Sequence, residues 1–395
     1  MTRLPIFDAK ERTSTEAGRH SESTYAFLDR IAGQHWAAAR ELMQAWADRV
    51  VTDEDYHDLR ARLRSKDDYQ FRSAFLELYV HECLLEAGYD VTVHPQLEGT
   101  SRRPDFLAVR GDERIYFEAI APGVAPADQA AASRRGVLFD TVNRLADPNF
   151  NLWLDDLVEG ASPPSAAKLR QELGKWLSQL NPDDYPRLEE APEYRWQRDD
   201  WAATFKAMPK AKHARGPVEP GDRAIGVYAH EPVRMINDAP AIRDALATKQ
   251  SAYGDVGAPF CIVVGMYIWD TDHHHSTNAL YGHEGVQFGE TLEGARISRL
   301  VREPNGFFGA PPMWAHRNVS GVLLVNQLQP YSVPRADVTF WRHPDPHHDL
   351  PADFSPPGVT VELVDGVITE TEPRSGYDFF RLPEPWPPGE AWPDD

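Results

Sequence analysis

The chain has 395 residues, with 41 Lys and Arg against 61 Asp and Glu, for a formal charge of −20. At roughly 100–200 residues per domain this implies two or three structural units, and 42% hydrophobic with 11% aromatic residues exclude a disordered chain. The acid excess excludes a protein that coats nucleic acid by bulk charge, so any phosphate contact needs a local basic patch.

Two cysteines, Cys83 and Cys261, lie in apolar runs, a reduced intracellular pattern of buried small hydrophobes rather than a disulfide framework. The start of the chain has no apolar signal core. The longest apolar run, Phe260 to Trp269, is far shorter than the ~20 residues of a membrane helix. Together these point to a cytoplasmic protein with no membrane partner.

Residues 23–50 carry helical spacing through Phe27, Ile31, Trp36, Ala39, Met43 and Trp46. A second helix is predicted over 53–64, capped by Thr52 with Asp55 three residues on. A third runs from Tyr69 to Ala87 and stops at Gly88, and the three make a helical front section, either a separate lobe or a wrap around the core. After Gly88 the period becomes two: a strand at 91–95, a second at 104–110, a turn at Gly111-Asp112 and a third strand at 115–121. A helix is predicted at 127–145, a strand at 151–158 and a helix opened by Ser162-Pro163-Pro164. A hairpin around Asp199-Asp200, a strand at 225–228, a helix from Ala239 and the apolar strand from Phe260 follow. Beyond Leu280 only Gly321 to Val325 reads as a strand, and the acidic, proline-rich end is expected to lie as a surface tail.

The chemistry concentrates in Arg102-Arg103-Pro104-Asp105 and in the strand bearing Glu118. Alternation puts Tyr116, Glu118 and Ile120 on one face. A carboxylate inside an otherwise apolar strand is costly unless something positive compensates it. The hairpin brings Asp105 toward Glu118, and Glu77 lies on the preceding helix between Phe75 and Leu78. Three acids converging on one sheet end call for a cation, and hard oxygen ligands suit Mg²⁺ or Mn²⁺.

This order of a helix with Glu, a strand, a Pro-Asp strand and a Glu-x-x strand resembles the PD-(D/E)xK superfamily. The likeness is close over 69–121 and looser through Phe139 and residues 242–265, where Lys249-Gln250 and Tyr253-Gly254 precede an apolar strand as in bacterial members. It implies an α/β fold: a restriction-endonuclease-like mixed sheet flanked by helices, with a helical N-terminal section and an inserted helix and hairpin region. The implied divisions are a helical section at 1–67, a nuclease-like core at 68–148, an insertion at 149–222, a continuation of the core at 223–340 and a tail at 341–395. It also implies Mg²⁺- or Mn²⁺-dependent hydrolysis of phosphodiester bonds in DNA, less readily RNA, with Glu77, Asp105 and Glu118 as metal ligands.

One position departs from the pattern. The superfamily's lysine belongs two residues after the glutamate, where this chain has Ile120. Some members place that lysine on a neighbouring helix, which makes Lys249 the candidate replacement with Gln250 beside it. Arg102, Arg103, Arg134, Arg135, Lys206, Lys210 and Lys212 are candidate phosphate contacts; Trp196 and Trp201 read chiefly as core or hairpin packing, with base stacking the second reading. The alternative is a catalytically inactive nuclease-fold protein that binds a protein partner or acts as a scaffold, with Ile120 marking the lost chemistry. The run Asp270 to His275 reads as a solvated loop, because adjacent histidines on a strand point to opposite faces and make no zinc site.

Overall fold

The computed structural model describes residues 3–122, 126–218, 222–228, 237–290, 296–364 and 366–392. The chain separates into two compact units, the first made of Met1–Arg12, Ala32–Gly123 and Ile236–Asp395, the second of Thr13–Ile31 and Val124–Met235. Both expected boundaries of the insertion, 148 and 222, therefore fall inside the second unit, which also takes the helix Pro126–Asn143 and the strand Ile225–Tyr228.

The first unit is built on helix α1 (Asp68–Glu86), strands β1 (Asp90–Val93), β2 (Phe106–Arg110) and β3 (Glu113–Ile120), helix α2 (Ala239–Gln250), and strands β4 (Phe260–Met266), β5 (Gly321–Asn326), β6 (Asp337–Arg342), β7 (Val359–Val364) and β8 (Val367–Glu370). The eight strands form one mixed sheet whose order, β1 to β8, follows the chain. β1, β2 and β3 make an antiparallel meander. β3, β4 and β5 are parallel neighbours, with Glu118 beside Ile262. β6 runs antiparallel to β5 and parallel to β7, and β8 closes the edge as a hairpin.

Helix α1 begins where the Asp67 carboxylate accepts the Tyr69 N–H and ends at Gly88, whose φ of 86° suits a residue without Cβ. Phe71, Phe75, Leu76, Tyr79, Val80 and Leu84 are all buried along it, so the helix is enclosed by the sheet and its neighbours. A Cβ built on Gly265 of β4 would come within 2.8 Å of Leu76 Cδ2, so the glycine sets how closely α1 approaches β4. On the other face, Ile242 and Leu246 of α2 pack on Phe260, Ile262 and Val264, and Tyr116 and Ile120 join that core. The continuous apolar run of β4 is what a parallel strand covered on both faces requires.

Four expectations change here. The helix read across 23–50 is two helices, Thr24–Arg30 and Gln34–Asp48, broken by extended Ile31 and by Gly33 at φ 102°. The helices at Gln34–Asp48 and Asp53–Leu63 belong to the same unit as the large sheet, so of the two readings of the helical front the separate lobe falls. The histidine run opens a helix, His274–Tyr281, because the buried Asp270 carboxylate accepts the N–H groups of His275 and Ser276. The proline-rich end is no tail: it supplies β7 and β8 and buries Phe354, Phe379, Phe380 and Trp386.

In the second unit a four-stranded sheet runs Glu193–Arg198, Trp201–Pro209, Phe150–Val158, Ile225–Tyr228. Phe150, Leu152 and Leu154 pack with Leu169 and Leu173 of the helix Ala166–Leu177. Trp196 and Trp201 belong to this same core, in line with the packing reading and not with the base-stacking one. Among the described residues no helix is long and apolar enough to cross a membrane.

Candidate active site

Strand alternation turns Glu118 toward α2, among the apolar side chains of that face, and leaves it only 4% exposed. Both carboxylate oxygens are satisfied. Lys249 Nζ, from the last turn of α2, donates to Oε1 at 2.5 Å. The Tyr253 hydroxyl lies 2.8 Å from Oε2 and 2.9 Å from the Arg103 carbonyl oxygen. Ile120, two residues beyond, packs into the hydrophobic core on the same face. A lysine from the adjoining helix thus brings to Glu118 the positive charge that the strand lacks.

Asp105 stands just before β2. Its Oδ2 accepts the Ala119 N–H across the hairpin at 2.7 Å, which fixes the carboxyl group next to the residue after Glu118. Burial, then the negative charges of Glu118 and Glu77, raise its pKa to about 7; the Ala119 N–H and the Lys249 ammonium oppose that rise. Burial works against the charge on Lys249, but its hydrogen bond and attraction to Glu118 prevail and raise its pKa. Burial and Glu118 likewise push the Tyr253 phenol up, so it stays a protonated donor.

Glu77 is held elsewhere. The Arg62 guanidinium clasps both its oxygens, at 2.7 and 2.6 Å, and also bonds Asp58 at 2.8 Å. The bidentate guanidinium makes Glu77 a brace between two helices and engages both of its oxygens, so the structure does not bring Glu77 together with Asp105 and Glu118 as a third free carboxylate. Its charge nonetheless reaches Asp105. Gln250 also turns away from Glu118: its amide donates to Asn318 Oδ1 at 3.0 Å, and Asn318 returns bonds to the Gln250 and Gly254 carbonyls. Its role is to close the turn after α2.

The basic residues divide between the units. In the first, the Arg102 side chain donates to the Ala252 carbonyl at 2.7 Å, bracing the turn that carries Tyr253, while the Arg103 side chain is exposed. In the second, Arg134 bonds the Gly160 carbonyl and Arg135 pairs with Glu159 at 2.9 Å. Lys206 lies 3.2 Å from Asp155 and Lys212 4.0 Å from Asp183. Lys210 is half-buried, and its N–H bonds the Asn149 carbonyl. Most of these charges already have acidic or carbonyl partners.

Among the described residues no group of three or more His, Cys, Asp or Glu side chains is placed to hold a metal ion. Mg²⁺, however, keeps several waters and is commonly bound through one or two carboxylates. Asp105 and Glu118 supply two such groups; the pKa of Asp105 is raised first by burial and then by the negative charges of Glu118 and Glu77, and a cation would relieve the second of these. The donor set fits a two-carboxylate hard-cation site.

Two participants escaped the sequence reading. Tyr253, named in the resemblance only as part of the turn before β4, follows Lys249 by four residues, and that spacing was the signal for its contact with Glu118. Arg62 and Glu77 meet between two helices, and neither position marks the other in sequence. Comparison with protein-family models, curated proteins and solved structures gives no match to this chain.

Proposed function

We propose that this protein is a divalent-metal-dependent nuclease that hydrolyses phosphodiester bonds of DNA, with Asp105 and Glu118 as its carboxylate pair and Lys249 in place of the lysine missing at Ile120. The observation that carries the reading is the 2.5 Å contact from Lys249 Nζ to Glu118 Oε1, made by a helix lysine whose charge also reaches the half-buried Asp105. The sequence α1–β1–β2–β3–α2–β4, with β3 and β4 parallel, supports it as the arrangement a restriction-endonuclease-like core uses.

Mg²⁺ or Mn²⁺ bound by Asp105 and Glu118 would supply Lewis acidity and a water of lowered pKa. The chain's own groups do the rest. Asp105 and Glu118 bring negative charge into a largely dry site, Ala119 N–H and Tyr253 fix their orientation, and the Lys249 ammonium offsets charge that builds on a phosphate oxygen. Arg103, exposed beside the motif, is the nearest candidate for a backbone phosphate.

The test is cleavage of plasmid DNA and of oligonucleotides with Mg²⁺ or Mn²⁺, against chelator. Asp105→Ala and Glu118→Ala should abolish cleavage, and Lys249→Ala should cost roughly 10²–10³ in rate. Cleavage that survives chelator or persists in Asp105→Ala rejects the reading. The competing reading, an inactive scaffold that engages a protein partner, draws on Ile120 and on the commitment of Glu77 to Arg62. It expects no cleavage with any metal and partner binding untouched by Asp105→Ala.

A further inference from the structure

We propose that Lys249 is the resident cation of this site: its ammonium occupies Glu118 in the metal-free protein, and a divalent ion binds only by displacing it. The proposal rests on the metal reading above and specifies how that site is regulated.

Three features carry it. Glu118 offers two oxygens, and Lys249 takes Oε1 at 2.5 Å while the Tyr253 hydroxyl lies 2.8 Å from Oε2. Each oxygen keeps a further lone pair, so a cation that coordinates this carboxylate must share an oxygen with one of them. The two donors are not equal in what leaving entails. Tyr253 has a second acceptor already in reach, the Arg103 carbonyl oxygen at 2.9 Å, so it can turn its single proton there and remain satisfied. Lys249 sits at the end of α2 with its side chain about a quarter exposed, and water is within reach of a flexible stem. Both donors can give way without leaving a buried polar group unpaired.

Charge decides which one must leave. A divalent ion and an ammonium on one buried carboxylate repel each other, whereas a neutral phenol does not. Displacement therefore falls on Lys249, and the freed ammonium becomes available to a phosphate. The apparent metal affinity is the intrinsic affinity of the Asp105–Glu118 pair reduced by competition from the chain's own lysine.

Mn²⁺ is the probe, titrated calorimetrically into the metal-free full-length protein at pH 8, where Asp105 is ionised. Lys249→Gln should bind Mn²⁺ about tenfold or more tightly than wild type, Lys249→Arg should bind like wild type, and Asp105→Ala should show no specific signal. Removing one partner of a buried pair strains folding, so thermal unfolding accompanies each titration. Lys249→Gln should melt below wild type without metal and gain more from saturating Mn²⁺. Should Lys249→Gln fail to fold, Lys249→Met, a neutral side chain with a similar stem, supplies the comparison and should bind Mn²⁺ tighter than wild type by a like factor. Equal or weaker Mn²⁺ binding in Lys249→Gln, alongside a wild-type signal that depends on Asp105, overturns the competition and leaves the metal site standing. No Asp105-dependent signal in any variant overturns both.

Discussion

Lys249 Nζ and Glu118 Oε1 are 2.5 Å apart although 131 residues of sequence separate them. The contact joins the end of α2 to the middle of β3 and sets the charge balance of the buried site: two carboxylates, Asp105 and Glu118, against one ammonium. Most of the properties expected of the protein in solution follow from that imbalance.

Asp105 makes stability fall as pH rises. In the folded chain its pKa is about 7 against an ordinary 3.8, so between roughly pH 4 and 7 the folded state keeps a proton that the unfolded state releases. Its stabilising contribution is full below about pH 4 and is lost as pH climbs through 7. A tenfold change in proton affinity is worth about 1.4 kcal/mol, so the loss in metal-free protein amounts to a few kcal/mol at most. Urea unfolding from pH 4 to 8 should show this decline in wild type and a flatter profile in Asp105→Asn. Parallel profiles would remove the electrostatic account of the site.

Glu77 should behave as a structural acid. Glu77→Gln breaks its two-pronged bond to Arg62 and should lower stability by about 1–3 kcal/mol, with Mn²⁺ affinity held within about twofold. Denaturant titration and calorimetry on the same preparation separate the two effects. Loss of the Mn²⁺ signal with normal stability would make Glu77 a ligand after all.

Gly265 and Leu76 should couple. A side chain at Gly265 meets Leu76 at 2.8 Å, so Gly265→Val should destabilise by about 1–3 kcal/mol through overpacking. Adding Leu76→Ala frees the space, and the double variant should lie closer to Leu76→Ala alone than additivity allows. Strict additivity in thermal unfolding would mean that α1 and β4 are not in the contact described.

Deleting residues 343–395 should prevent folding. The deletion removes β7 and β8 and the buried rings of Phe354, Phe379, Phe380 and Trp386, and it leaves β6 with an unpaired edge prone to association. Size-exclusion chromatography should find aggregate, and circular dichroism no cooperative melt. A monomeric, cooperatively melting product would return this segment to the status of an appendage.

The parts of the fold legible in the sequence were those with a local signature. Gly88 ended α1, Gly111-Asp112 turned the hairpin and period-two alternation placed Glu118 on the face that α2 covers. β6 was not legible, because Val338 to Trp341 are buried in succession and no alternation survives. β7 and β8 were obscured by neighbouring prolines, although their own residues are β-branched. In the site, Asp105 was marked by its Pro-Asp context and Lys249 by resemblance alone. The bracing of Glu77 by Arg62 depends on how two helices pack, which no single segment specifies.

The large sheet adds its strands in the order the ribosome makes them. Each of the seven strands after β1 pairs with the strand of this sheet that precedes it along the chain, so none has to open an existing ladder in order to enter. A nascent chain can therefore extend one growing edge, wait while the intervening unit emerges, and resume at β4 without undoing earlier pairing. The hairpin of β7 and β8 is the last part of this sheet to be made and forms its far edge.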